Sequence, residues 1–82
     1  MVAVNVGGLQ ELVVEALKAH NGQAGIVEVC KHIWANHENE LRQSGDLFFT
    51  WQYDVRWAAN QLRRNGALRA AEASPRGIWE LI

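Results

Sequence analysis

A mainly α (α+β) domain, three helices closed by a C-terminal β-hairpin, is the fold class this chain predicts. Three observations carry it. Two stretches in the first half repeat apolar residues at helical spacing; a third sets an apolar face beside an arginine-bearing one and stops at a glycine; the last sixteen residues switch to a period of two around Ser74-Pro75-Arg76-Gly77.

Helix one is expected over 8–20. Leu9, Leu12, Val13, Ala16 and Leu17 recur at i, i+3, i+4, i+7 and i+8, with Glu11 and Glu15 outside and Asn21-Gly22 as the stop. Ile26, Val29, Cys30, Ile33 and Trp34 repeat the spacing and predict helix two over 26–36. Ala24 to Val27 could supply a short strand between these helices. The polar run from His37 to Gly45 is expected to be a half-ordered turn or short helix, after which Asp46-Leu47-Phe48-Phe49 returns an aromatic pair to the core. Helix three is expected over 50–65, capped by Thr50 and ended by Gly66. Its apolar face is Trp51, Val55, Ala58, Ala59 and Leu62. The tail, 67–82, is expected to form two strands, with Leu68, Trp79 and Leu81 pointing inward and a turn at Pro75 and Gly77.

The order helix, short strand, helix, helix, strand, turn, strand is that of a winged helix-turn-helix, with helix three as recognition helix and 67–82 as a two- or three-stranded wing. Within it, Trp57-Ala58, Leu62, Gly66, Leu68 and the closing Ser74-Pro75-Arg76-Gly77-Ile78-Trp79-Glu80-Leu81 resemble the second half of the winged-helix module at the N-terminus of Mrr-type restriction endonucleases. The likeness is carried by residues 55–82; residues 9–34 follow it by pattern only. It implies a DNA-recognition domain. Cleavage belongs to a separate nuclease domain in that family and does not carry over to these residues.

An 82-residue chain makes one small domain, which buries only about 60–65% of its unfolded surface. Its hydrophobic fraction of 49% and four tryptophans are enough for a core, and disorder is not expected. No run of about 20 apolar residues suggests a membrane span, and the N-terminus lacks a secretory pattern. A single cysteine points to a reducing, cytoplasmic setting. The net charge of −1 hides an asymmetry. Residues 1–41 hold two lysines against five glutamates, whereas residues 42–82 hold six arginines against two aspartates and two glutamates.

That asymmetry defines the candidate site. Gln52, Tyr53, Arg56 and Asn60 are expected to meet base edges, because arginine matches guanine and asparagine or glutamine matches adenine in the major groove. Arg63 and Arg64 are assigned to phosphate, Arg76 at the wing tip to backbone or minor groove, and Arg69 to a secondary phosphate contact. The plainer reading of each is a solvated arginine. Arg42 is a more remote candidate, and Asp54 is expected to cap or pair with a neighbour. Trp34, Trp51 and Trp79 are expected to pack the core. Trp57 lies off the main stripe, where it either closes the groove between helix three and the wing or is half exposed at an interface; packing is the favoured reading.

His20, His32, His37 and Cys30 lack metal-ligand spacing, with Cys30 on a buried stripe and His32 solvated; no metal or cofactor is expected. Neither a nucleophile–base pattern nor a phosphate loop is present, so a non-enzymatic protein is expected. The expected partner is double-stranded DNA, bound by a dimer over two half-sites since one unit has a modest footprint. Val2, Val4 and Val6 fit a frayed arm, or else a dimer strand. The alternative is a protein-docking module built on the same fold.

Overall fold

The computed structural model describes residues 7–82, in which α1 (Leu9–Ala19), β1 (Gln23–Gly25), α2 (Ile26–Arg42), α3 (Leu47–Arg64) and β2 (Ile78–Glu80) follow in order. Val2, Val4 and Val6 lie outside the described residues. Each helix turns its apolar stripe to one shared core. Leu9, Val13, Ala16 and Leu17 come from α1, Val29, Ile33 and Leu41 from α2, and Leu47, Trp51, Val55, Ala58, Ala59 and Leu62 from α3. Burying each Leu- or Val-sized side chain stabilises the fold by about 1.5–3 kcal/mol. No polar or charged residue is buried among the described residues, so the core is purely apolar.

Two helices are longer than expected. The second continues through the polar run to Arg42 rather than ending at Asn36. Its backbone leaves helical geometry at His37 (φ −132°, ψ 23°), and beyond this kink Leu41 is fully buried. One leucine suffices to hold that extra turn to the core, too weak a pattern to stand out in a polar stretch. The third helix begins at Leu47, with Asp46 at the N-cap position making no side-chain cap. Thr50 is therefore inside the helix and donates to Asp54 Oδ2 at 2.7 Å. The earlier start also overturns the expected burial of the Phe48–Phe49 pair. Leu47 and Trp51 take the core positions, and a residue two after Leu47 points away from them. Phe49 is accordingly 81% exposed, with Phe48 half-buried.

The sheet draws its strands from distant parts of the chain. The first strand runs antiparallel to β2 with Gln23 opposite Glu80, Ala24 opposite Trp79 and Gly25 opposite Ile78. The buried Ala24 and Trp79 thus form one cross-strand pair on the core side. The expected local hairpin is reduced to a single bridge between Leu68 and Leu81, flanked by Arg69 N–H donating to the Glu80 carbonyl at 2.9 Å. Between them the alanine-rich segment coils into a 3₁₀ turn at Ala71–Ala73, where no β-branched or aromatic side chain favours a strand.

Gly66 ends α3 at φ +85°, letting Ala67 N–H reach the Leu62 carbonyl at 2.9 Å. At the expected wing tip Gly77 has φ +79°, a left-handed conformation that a side chain would strain.

Truncating Leu17 to alanine should cost about 2–5 kcal/mol in urea unfolding, because the cavity lies in the sealed core. Phe49→Ala should leave stability within about 0.5 kcal/mol of the parent, since its ring is mostly in water.

Candidate nucleic-acid interface

Burial of one face of α3 determines where every other residue of that helix points. At 3.6 residues per turn, Phe49, Tyr53 and Asn60 form the ridge opposite the core. Gln52, Arg56 and Arg63 fall on one flank of this ridge; Thr50, Trp57 and Arg64 fall on the other. Exposure agrees with the geometry: Tyr53 is 77% exposed, and Gln52, Arg56, Asn60 and Arg64 are exposed as well. Arg63 is only half-buried and lies along its flank, with Nε shielded and without a hydrogen-bond partner. Trp57 is 41% exposed, which fits the half-exposed alternative rather than the favoured packing. The six helix-borne candidates therefore share one continuous surface, and Phe49 and Trp57 join them.

The arginines divide by partner. Arg42 donates to Glu38 Oε2 at 2.7 Å and lies over the rings of Trp34 and Phe48, at 5.3 and 5.6 Å. It braces an aromatic cluster in which Trp34 stacks on Trp51 with centroids 6.1 Å apart. Trp51 and Trp79 are buried as expected, whereas Trp34 is half-buried. Arg69 Nε lies 3.9 Å from Glu80 Oε2, so its charge is partly answered within the domain. Arg56, Arg63, Arg64 and Arg76 have no carboxylate within 4 Å among the described residues. Asp54, the one acid on α3, is occupied by Thr50, as expected of a residue that pairs with a neighbour.

The first turns of α2 connect the helix to the C-terminal turn. Val27, Cys30 and Lys31 face Gln52, Tyr53 and Arg56 across an open groove of about 540 Å³. Burial pushes the Cys30 thiol up, with the nearby Arg56 charge pulling against it, so the half-buried thiol favours its protonated form. On the other side of the same α2 terminus, Pro75 lines a shallow cleft with Gly25 and Glu28, and a Cβ at Gly25 would lie 3.4 Å from the Gly77 carbonyl. The turn bearing Arg76 and the middle of α3 thus both flank the start of α2. No hydrogen bond or ion pair joins Arg76 itself to α3.

A second charged cluster, which no spacing in the sequence announces, ties α1 to the α2 kink. Glu15 Oε2 accepts from His37 Nε2 at 2.8 Å and from His32 Nε2 at 3.0 Å, while His37 Nδ1 donates to Glu40. Both nitrogens of His37 face carboxylate oxygens, an arrangement that favours the doubly protonated imidazolium over the neutral ring. Burial alone would lower the His37 pKa, but its bonds to Glu15 and Glu40 outweigh this and raise it. Burial alone would raise that of Glu15, yet the two histidines hold it below its ordinary value. His32, expected to be solvated, is half-buried by the same contact. Among the described residues, no group of three or more His, Cys, Asp or Glu side chains is placed to hold a metal ion. No helix among them is long and apolar enough to cross a membrane.

The chain matches no protein-family model, no curated protein and no solved structure.

The clasp makes stability depend on pH in a defined direction. The raised pKa of His37 contributes fully below its ordinary 6.5 and is lost as pH climbs through the raised value. The lowered pKa of Glu15 contributes above its ordinary 4.5 and is lost as pH falls through the lowered one. The clasp therefore helps most between these ordinary values. Thermal unfolding of the parent and of His37→Gln should differ most near pH 5–6 and converge on the alkaline side, beyond the raised pKa of His37.

Proposed function

We propose that this domain is a winged-helix module that binds double-stranded DNA, with α3 in the major groove and the Pro75-Arg76-Gly77 turn against the neighbouring backbone. The observation that carries the reading is the set of unpaired guanidinium groups on Arg56, Arg63, Arg64 and Arg76. A domain that pairs Arg42 and Arg69 internally leaves these four available to an external polyanion. Placement of β1 between α1 and α2, paired with β2, supports the winged-helix arrangement.

Roles follow from side-chain chemistry. Arg56 and Gln52, on the flank facing α2, are suited to guanine and adenine edges, and Asn60 on the ridge to adenine. Arg63, Arg64 and Arg76 serve as phosphate contacts, Arg69 as a weaker one, and Lys31 across the groove adds a cation from outside α3. A homodimer over two half-sites would supply the footprint that one such unit lacks.

The exposed Phe49, Tyr53 and Trp57 favour a second reading, in which the same face docks a protein partner. Salt separates the two. Duplex affinity should fall steeply with rising salt. Arg56→Ala, Arg63→Ala and Arg64→Ala combined should lower the log–log slope by about 1 for each phosphate no longer neutralised. Binding indifferent to salt, or unchanged in the triple variant, would refute the DNA reading and leave docking.

A further inference from the structure

The ridge of α3 carries two aromatic rings at the positions farthest from the core. Phe49 and Tyr53 are the two most exposed aromatic side chains among the described residues, and both sit between the flank of Arg56 and that of Arg64. Neither ring is needed by the core, which Leu47, Trp51 and Val55 fill from the opposite face. Phe49 makes an edge contact with Phe48, at 5.1 Å between centroids, that fixes the ring's direction without covering it.

What such a ridge meets depends on what its flanks hold. Cations on both sides would grip phosphate, which sets the ridge over the groove floor between them. That floor offers hydrogen-bonding edges and one apolar group, the 5-methyl of thymine. Phenylalanine has nothing to offer a polar edge, so its match there is the methyl. Phe49 and Tyr53 are four residues apart, about 6 Å along the axis at 1.5 Å per residue. Base pairs stack about every 3.4 Å, so the two rings span roughly two steps.

We propose that Phe49 and Tyr53 read thymine methyl groups, giving the domain a preference for A·T pairs about two steps apart beside the position contacted by Arg56. This inference rests on the duplex-binding reading above, and its test separates the two. Gln52 and Asn60, suited to adenine, lie on the adjoining flank and farther along the ridge, consistent with A·T content at this face.

The experiment uses a pool of short random-sequence duplexes made once with thymidine and once with deoxyuridine. Uracil deletes only the methyl and keeps every hydrogen-bonding edge. At the value of one buried methylene-sized group, loss of each contacted methyl should weaken binding about fourfold. The thymidine pool should therefore win direct competition against the deoxyuridine pool. Phe49→Ala combined with Tyr53→Ala should abolish the preference while circular dichroism and melting stay those of the parent. Equal binding of both pools, or a preference that survives in the double variant, would overturn the methyl-reading role and leave DNA binding intact. Failure of both pools to bind the parent protein would instead overturn the duplex reading itself.

Discussion

Burial of the inner face of α3 is the constraint on which the rest of the molecule depends. Leu47, Trp51, Val55, Ala58, Ala59 and Leu62 reach the common core from a single helix, opposite the stripe of α1. With that face sealed, helical periodicity leaves no freedom over the remainder. A slip of one residue would turn the helix by about 100° and bring polar or charged side chains toward the core. The arginine flanks and the aromatic ridge are therefore consequences of core packing, held in register by the most apolar part of the domain.

The charge balance acquires meaning from how the charges are paired. A net charge of −1 is a weak recommendation for a DNA-binding protein. Three of the five glutamates in the first half, however, are engaged inside the domain: Glu15 and Glu40 by histidine, Glu38 by Arg42. Asp54 is occupied by Thr50 within its own helix. Part of the negative charge is thus answered by partners on α1 and α2. The two halves of the chain differ in this respect: the first answers three of its five glutamates internally, whereas four of the six arginines of the second have no carboxylate partner among the described residues.

The elements that were legible in the sequence are those with strong local patterns. The stripe of α1, the core face of α3, and the stops at Asn21-Gly22 and Gly66 rest on neighbouring residues, and their bounds are nearly those the periodicity predicts. The extension of α2 past Asn36 depends on Leu41 alone, and the start of α3 on competition between Leu47 and Thr50 for the role of first residue. The pairing of β1 with β2 and the Glu15–His37 clasp are out of reach for a different reason. Each joins residues far apart in the chain, and no periodicity records such a contact. The exposed positions of the candidate residues on α3 are readable because their surface is the complement of a readable core face. The exposure of Phe49 is not, since Thr50 has the chemistry of a cap and hides a helix that already begins at Leu47.

Nuclear magnetic resonance mapping of the amide signals during titration with duplex DNA tests the central claim most directly. Perturbations should cluster at Gln52, Tyr53, Arg56 and Asn60, at Lys31 across the groove, and at the Arg76-Gly77 turn, with α1 and the Glu15–His37 clasp undisturbed. Perturbations centred on α1, or none at any DNA concentration in low salt, would contradict it.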